Sequence, residues 1–475
     1  MPTDLHALNG VDWAKLHFAN LNLKDPRRRT RALTIATALT HQPGVSIPKL
    51  FTRVHDVKAT YTFFDVDEVT PSNVQIGHRT LVHQRIKQPG TYLLIEDGSE
   101  FNWSDKSPRA GLGVMHDHHQ GFVLHSSLAV QWFKPNLGQF KRLATPIIGL
   151  THQEFYARVP KPVLKTDDSK TRKARARESQ LWERSTLTIG IAPDRADVRW
   201  VRVADRGADI EFFLRDCQTK RQGFVVRAAQ NRALVDQHNK TLPVKLFEQS
   251  RGQPSLGEFQ FELRSRVGQA ARTAVLSYST AQIRLRSAAR RGGRAEPIAC
   301  WVVRIWEAQP TPGVDALEWV LLCDTAVQSL DQAFEIGMQY AARWLIEEYH
   351  KCLKTGLGAD ALQLQTANRL FAAIAMMAIV AVRLLALKEA VRVEPDASAV
   401  VSGLEPLELS VLSIVLKRQL ISVKDVALAV GRLGGHMNRR SDGLPGWQSL
   451  WAGMKRLRTL VEGVGLASEL QTFGV

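Results

Sequence analysis

Strand-like runs that begin near residue 90 constrain the fold of this chain most strongly. Residues 91–97 (TYLLIED), 198–205 (VRWVRVAD) and 223–229 (GFVVRAA) are short apolar runs rich in strand-forming residues. Helical patterns lie between them, so we expect an α/β domain in this part of the chain. Later runs at 235–325 alternate apolar with polar residues, and they predict an antiparallel β insertion.

Helical segments flank this α/β domain. Asp25 and Pro26 are typical of the start of a helix, and the Pro-Gly pair at 43–44 is typical of its end. The 475 residues are enough for about two to four domains. We predict a helical module at 1–70, an α/β domain at 71–390 with its β insertion at 235–325, and a helical tail at 391–475.

The chain is strongly basic. Lys and Arg number 63 against 46 Asp and Glu, and the formal net charge of +17 favours a polyanionic partner such as nucleic acid. Arginines crowd the first turns of the first helix, and a basic stretch at 161–184 holds few apolar residues. Phosphate contact is one interpretation of both features, while a solvated helix face and a mobile loop are the alternatives.

The spacing of the cysteines and the length of the longest apolar stretch indicate where the protein is located. The four cysteines lie far apart without metal-ligand spacing, which is typical of reduced, buried thiols in a cytoplasmic protein. The segment 1–13 lacks the pattern of a signal peptide. The longest apolar stretch, 370–382, is too short to cross a membrane and predicts a buried core helix. We therefore expect a cytoplasmic protein without a membrane partner.

Two aspartates end strand-like runs. Asp97 ends the run YLLIED, and Asp205 ends the run WVRVAD. A side chain at the end of a strand is held rigidly by the sheet and still reaches solvent, which is the geometry that a catalytic metal site needs. Either aspartate alone could equally be an ordinary turn residue.

A helical pattern at 340–356 (YAARWLIEEYHKCLKTG) supplies a third acidic position. At roughly 100° per residue, an arc of about 80° contains Tyr340, Arg343, Glu347, Lys351 and Lys354. The opposite face is an apolar stripe of Ala341, Ala342, Leu345, Ile346, Tyr349, Cys352 and Leu353. Glu347 therefore lies in a charged row and Glu348 at its margin. An exposed helix face with ion pairs such as Arg343 with Glu347 is the alternative interpretation.

The same helix carries a family resemblance. Its residues Tyr340, Arg343, Glu347 and Lys354 have the Y-x2-R-x3-E-x6-K spacing of DDE insertion-sequence transposases similar to that of transposon five. Further similar segments follow in order, namely DPRRRTRAL, KATYTFF, IEDGSEF, VADRGADIEFFL, FVVRA, EWVLL and LGGHMNRRSDGLPGW. The resemblance thus covers nearly the full chain.

One departure from the family follows the first aspartate. Gly98 and Ser99 stand where the family often has hydroxyl residues. This difference affects the local hydrogen bonding rather than the metal ligand itself.

The resemblance implies a ribonuclease-H-like catalytic core with helical N-terminal and C-terminal domains. Asp97, Asp205 and Glu347 would be its catalytic residues and hold two Mg²⁺ ions, with Mn²⁺ as a substitute. It also implies a cut-and-paste reaction on double-stranded DNA: the element is nicked and excised through a hairpin, and its 3′-hydroxyl ends join target DNA. A homodimer would hold the two ends in a synaptic complex, in a bacterial cytoplasm and at the nucleoid when bound to DNA.

The resemblance implies a set of DNA contacts as well. Candidates beside the metal site are Arg227, Tyr340, Arg343, Lys351 and Lys354. Trp319 would stack on a base flipped from the hairpin, although a buried strand tryptophan is the alternative. The module that reads the transposon ends would use Arg27, Arg28, Arg29, Lys58 and Tyr61.

The sequence leaves one alternative metal site and two alternative functions to consider. His116, Asp117, His118 and His119 could suggest a metal site, but adjacent strand residues point to opposite faces, so we favour a turn. An inactive or domesticated relative would bind transposon ends and inhibit transposition. A metal-dependent nuclease would share the core without strand transfer.

Overall fold

A mixed β-sheet organises the fold. It is seen in a computed structural model, which describes residues 6, 8–104, 108–116, 119–138, 145–158, 177–263, 271–290, 293–294, 296–439 and 442–472. Within these residues twelve strands join in one sheet, and a further two-stranded ribbon lies apart. Helices precede the sheet, pack on it and follow it.

The described helices before the first strand are α1 (Gly10–Phe18), α2 (Pro26–His41), α3 (Val54–Phe64) and α4 (Pro71–Ile86). The α2 helix begins as its sequence predicts, because the Asp25 side chain accepts a hydrogen bond of 2.8 Å from the Arg27 backbone N–H. Thr70 caps α4 in the same way. Side chains of α1, α2 and α3 belong to the same hydrophobic core as the central sheet.

Six strands of the first half of the sheet and two helices come next along the chain. They are β1 (Gly90–Trp103), β2 (Gly113–Val114), β3 (Gln120–Trp132), β4 (Ile147–Tyr156), α5 (Gln180–Ile189), β5 (Val198–Ala204), α6 (Glu211–Thr219) and β6 (Gly223–Arg227). The strands β1, β5 and β6 run parallel to one another. On the other side of β1, β3 runs antiparallel to β1, and β4 runs antiparallel to β3.

Asp97 does not end its strand, contrary to the sequence-based expectation. The strand β1 continues to Trp103 because β3 pairs with it along its whole length. The neighbouring strand β5, however, pairs with β1 only as far as Glu96. Asp97 is therefore the first residue of β1 beyond its parallel partner.

The predicted antiparallel insertion extends the same sheet. Its elements are β7 (Ala233–Val235), β8 (Thr241–Lys245), α7 (Leu246–Arg251), β9 (Gly257–Leu263), β10 (Arg272–Leu285), the ribbon β11 (Ala289–Arg290) and β12 (Gly293–Arg294), β13 (Ile298–Glu307) and β14 (Glu318–Cys323). The strand β14 pairs with β6, which joins the insertion to the central strands. The alternating runs TAVLSYST at 273–280 and AQIRLRS at 281–287, which the sequence suggests as separate strands, form the single strand β10 up to Leu285.

The rest of the described chain is helical. It comprises α8 (Leu330–Ala341), α9 (Trp344–Lys351), α10 (Ala367–Val393), α11 (Pro406–Leu416), α12 (Val423–Leu433) and α13 (Trp447–Thr472). By length and composition α10 could cross a membrane, but 89% of its most apolar window is buried inside the protein. The prediction of a buried core helix at this position is confirmed. All four cysteines are buried and free, as expected.

Candidate catalytic metal centre

Asp97 and Asp205 lie side by side at one edge of the sheet. The register of β1 and β5 pairs Glu96 with Ala204, and the two aspartates are the residues that follow this pair along the chain. Adjacent strands are about 4.8 Å apart. Asp97 Oδ1 accepts a hydrogen bond of 2.8 Å from the Gly98 backbone N–H, so the glycine that departs from the family pattern still orients the carboxylate.

Asp205 is oriented by a turn of its own. It caps a short 3₁₀ helix at Arg206–Ala208, and its Oδ1 atom accepts a hydrogen bond of 2.8 Å from the Gly207 backbone N–H. Both carboxylates are thus held by the backbone that directly follows them.

Arg343 connects the first aspartate with Glu347. Its Nη1 atom lies 2.7 Å from Asp97 Oδ2, and its Nη2 atom donates to Glu347 Oε1. Burial alone would lower the pKa of Arg343, but the charges of Asp97 and Glu347 outweigh it and raise that pKa. The helix α9 therefore brings Glu347 to the edge that carries the two aspartates.

Negative charge accumulates at this edge. Burial and the charge of Asp205 raise the pKa of Asp97 to about 6, against the opposing charge of Arg343, and Glu347 adds to the increase. Burial and the neighbouring carboxylates thus both disfavour the ionised form of Asp97, and a bound cation would offset them. The donors are all hard oxygens, which suit Mg²⁺ or Mn²⁺.

The three carboxylates do not form a preassembled metal cage. Among the described residues, no group of three or more His, Cys, Asp and Glu side chains is arranged to hold an ion. The guanidinium of Arg343 lies between Asp97 and Glu347 instead. An ion bound by both carboxylates would have to take the place of this guanidinium.

The expected single helix at 340–356 is interrupted. Between α8 and α9 the backbone bonds tighten to an i to i+3 pattern, with Arg343 N–H donating to Tyr340 O and Ile346 N–H to Arg343 O. Tyr340 consequently turns into the core instead of continuing the charged row, and Ala341 is exposed instead of buried. The remainder of the apolar stripe, from Leu345 onward, is buried as predicted.

Glu347 and Glu348 face different partners. Glu347 accepts from Arg343 beside Asp97, whereas Glu348 Oε2 lies 2.7 Å from the Lys388 Nζ atom of α10. Lys388 is also 3.3 Å from Glu389. The helical pattern of the sequence placed Glu347 in the charged row and Glu348 at its margin. Their different partners in the structure agree with this separation.

Lys354 is displaced from the charged row. Residues Cys352–Gly356 form a π-helical turn, which inserts extra backbone into the helix. The Lys354 Nζ atom donates a hydrogen bond of 2.7 Å to the Glu100 carbonyl of β1 and lies 5.3 Å from the centre of the Phe101 ring. Lys351 is exposed on the outer side of α9.

Arg227 and Trp319 lie at the same sheet edge as the aspartates. Arg227 follows Val226, the residue that pairs with Ala204, and its Nη2 atom donates to the Glu318 carbonyl at 3.1 Å. Trp319 is partly buried, with its ring 5.0 Å from that of Tyr340. Its burial is intermediate between that of an exposed stacking platform and that of a buried strand tryptophan, which are the two interpretations that the sequence suggested.

The basic residues of the first helices differ in their partners. Arg27, Arg29 and Lys58 are exposed, and Tyr61 packs partly against the core. Arg28 is held by Glu68 at 2.6 Å, so it is the least available of the predicted contacts.

The histidine group near 116 forms a turn in its described part. The His119 backbone N–H donates to the His116 carbonyl at 3.2 Å, between β2 and β3. Asp117, His118 and most of the basic stretch, at 161–176, lie outside the described residues.

Sequence reasoning missed a buried ion pair beneath the site. Glu96 and Arg202 are fully buried and paired, and the Ser185 hydroxyl donates to Glu96 at 3.1 Å. Strand alternation places Glu96 on the face opposite Asp97. Its sequence signal is a glutamate and an arginine that interrupt two apolar strands.

Two family profiles match separate parts of this architecture. Residues 11–69, which hold α2, α3 and all but the first residue of α1, match the family described as Transposase DNA-binding. Residues 171–383 match the family described as Transposase DDE domain. The chain thus has one region similar to a transposase DNA-binding domain and one similar to a transposase DDE domain, and the two matches support a DNA transposase. Transposition, DNA binding and metal-dependent chemistry on DNA are therefore its class of activity. The second match contains Asp205 and Glu347 and begins after Asp97.

Proposed function

We propose that this transposase cuts and joins DNA with divalent metal ions held by Asp97, Asp205 and Glu347. The observation that carries the proposal is the approach of three carboxylates from β1, β5 and α9 to one sheet edge, with a pKa of Asp97 raised to about 6. When bound, a pair of Mg²⁺ or Mn²⁺ ions stabilises the attacking and leaving oxygens of an in-line phosphoryl displacement.

We assign the central sheet to the ribonuclease-H-like class. The strand order β4-β3-β1-β5-β6, in which β3 runs antiparallel to the other four strands, supports this assignment. We propose the domains at 1–70, 71–390 and 391–475, of which the first two share one hydrophobic core.

Positively charged side chains around the carboxylates would bind the phosphates of the DNA backbone. Arg343 neutralises Asp97 and Glu347 in the metal-free protein, and an ion in its place would leave the guanidinium available for a phosphate. Arg227 and the exposed Lys351 are further candidates. The proposed stacking of Trp319 on a flipped base is supported by its position at this edge and by its incomplete burial.

The hairpin route, strand transfer and a homodimeric synaptic complex belong to the same proposal. Exposed apolar side chains of the C-terminal part, such as Ile414 with 75% of its surface exposed, support a protein partner there. A cytoplasmic location, at the nucleoid when bound to DNA, follows from a DNA substrate.

A cleavage assay on DNA that carries the element ends tests this function. The purified protein with Mg²⁺ should give nicked, hairpin and flush-ended products, which a denaturing gel resolves. Joining of the freed 3′-hydroxyl ends to a target plasmid distinguishes a transposase from a plain nuclease. Tight end binding without cleavage in Mg²⁺ or Mn²⁺ would identify an inhibitory relative instead.

End binding should depend on the exposed arginines of α2. The double variant Arg27→Gln and Arg29→Gln is expected to bind end DNA more weakly and to lower the slope of log K against log salt by about two, since each lost phosphate contact lowers it by roughly one. Binding is measured by fluorescence anisotropy between low and moderate salt.

A charge-matched control makes this test specific. Lys87→Gln with Lys424→Gln removes two exposed positive charges outside residues 11–69 and should leave the slope nearly unchanged. Equal losses in both double variants would mean that net charge, not the helical module, governs end binding.

A further inference from the structure

A buried row of polar side chains lies on the same face of the sheet as Asp97. It runs from Ser126 of β3 through Gln153 of β4 to Gln75 of α4, and each of these three residues is at most 6% exposed. The register pairs Asp97 with Ser126, and Ser126 with Gln153. Directly paired residues on neighbouring strands have their side chains on one face of the sheet, so the row begins beside the first carboxylate of the candidate metal centre.

Gln153 is at the centre of this row. Its amide nitrogen donates to the Ser126 hydroxyl at 3.0 Å and to the Tyr349 hydroxyl at 2.9 Å. Its amide oxygen accepts a hydrogen bond of 2.7 Å from Gln75, which also donates to the Ala375 carbonyl of α10 at 3.2 Å. Both N–H groups of each glutamine amide are thus used, and the partners fix the orientation of both side chains.

The helix α9 joins this network through two adjacent residues. One is Tyr349, and the other is His350, whose Nε2 atom lies 3.2 Å from Ser126 Oγ. Burial lowers the pKa of His350 to about 3, so its ring is neutral and Nε2 can accept the proton of the Ser126 hydroxyl. Glu347 lies three residues earlier on α9, which makes it a neighbour of His350 on the helix surface. The helix is therefore hydrogen-bonded to β3 and β4 within one turn of the glutamate that faces Asp97.

Apolar packing alone would hold α9 less specifically. Leu345 and Ile346 pack into the core, but apolar contacts have no preferred direction and tolerate small shifts of the helix. Hydrogen bonds are directional, and a buried polar group that loses its partner is costly, so the network resists both sliding and rotation. Residues of a catalytic site have to be held to within about 0.5 Å of their working geometry.

We propose that the network of Ser126, Gln153, Tyr349 and His350 positions α9 so that Glu347 is held at the metal centre. These four are positioning residues, because they act through the helix and not by contact with an ion or with DNA. The inference rests on the proposed function, which makes Glu347 a metal ligand.

Hydrogen exchange in the full chain tests whether the network holds the helix. Ser126→Ala removes the hydroxyl that joins β3 to α9. Ser127→Ala is the matched control, because Ser127 is the next residue of β3, is equally buried and accepts a hydrogen bond of 2.8 Å from Thr151 instead. Strand alternation places it on the opposite face of the sheet. The amide protons of α9 should exchange at least about tenfold faster in Ser126→Ala and at the unaltered rate in Ser127→Ala.

Binding of Mn²⁺ to the DNA-free full chain tests the consequence for the metal centre. Electron paramagnetic resonance measures the free ion, and Asp205→Ala shows how much binding lies outside the site. Ser126→Ala and His350→Leu should weaken binding at the site at least about tenfold, as loss of groups that orient metal ligands typically does. His350→Gln keeps a polar atom near the place of Nε2 and should restore most of the affinity. Ser127→Ala should leave it unchanged, and urea denaturation confirms that each variant is folded.

Unaltered exchange of α9 in Ser126→Ala would overturn the proposal. Equal losses of Mn²⁺ affinity in Ser126→Ala and Ser127→Ala, or full affinity in a folded His350→Leu, would also overturn it. If the unaltered protein bound no more Mn²⁺ than Asp205→Ala while α9 exchanged as expected, the proposed function would fail and the anchoring of α9 by the network would stand.

Discussion

Glu347→Gln is expected to reduce DNA cleavage at least about a thousandfold, whereas Glu348→Gln should remain within about tenfold of the unaltered protein. Loss of one metal-binding carboxylate removes several kcal/mol of transition-state stabilisation, and about 4 kcal/mol corresponds to a thousandfold. Glu347 is on the side of α9 that faces Asp97, through their common partner Arg343. Glu348 instead pairs with Lys388.

The two variants are matched controls for each other, because they are neighbours on one helix and lose the same charge. Glu348→Gln leaves Lys388 beside Glu389, at 3.3 Å, so the fold should tolerate it. Cleavage is measured on end-bearing DNA in Mg²⁺, with end binding and circular dichroism recorded in parallel. A dead Glu348→Gln with an active Glu347→Gln would reverse the assignment.

Asp97→Asn should stabilise the metal-free protein at pH 7 while it abolishes cleavage. The pKa of Asp97 is about 6 in the folded protein, against a reference value of 3.8. A raised carboxyl pKa means that its stabilising contribution is present below about pH 4 and is lost as the pH rises through about 6. At pH 7 the ionised group thus costs up to about 3 kcal/mol, which the neutral amide avoids.

Urea denaturation with a chelator present measures this effect at several pH values. The stability gain of Asp97→Asn should be largest at pH 7, shrink as the pH falls below 6 and vanish near pH 3. A matched Asp331→Asn change at the start of α8 removes a partly exposed carboxylate that is paired with Lys134, and it should not give this profile. Loss of stability at pH 7 would show that the ion pair with Arg343 outweighs the repulsion from Asp205.

The family resemblance implied that the two aspartates share a site, and strand pairing explains why they meet. Asp97 and Asp205 are each the first residue beyond the parallel pairing of β1 with β5, so their carboxylates come together once the strands are neighbours. The distinction between Glu347 and Glu348, in contrast, rested on helical geometry. It needed only the period of the helix and the order of its residues.

Features that depend on tertiary contacts were not predictable. The tightened turn at Arg343 and the π-helical turn around Lys354 move Tyr340 and Lys354 out of the row that a regular helix would give them. The extension of β1 past Asp97 reflects pairing with β3, a distant part of the chain.

Metal-dependent rescue of Asp205→Cys tests the central claim most directly. Mg²⁺ requires oxygen ligands, whereas Mn²⁺ accepts sulfur, so a thiolate at this position distinguishes a lost ligand from a damaged fold. We expect no cleavage of end DNA by Asp205→Cys in Mg²⁺ and measurable cleavage in Mn²⁺, with Asp205→Ala inactive in both metals. Cleavage by Asp205→Cys at the unaltered rate in Mg²⁺ would show that this carboxylate holds no ion and would contradict the proposed metal centre.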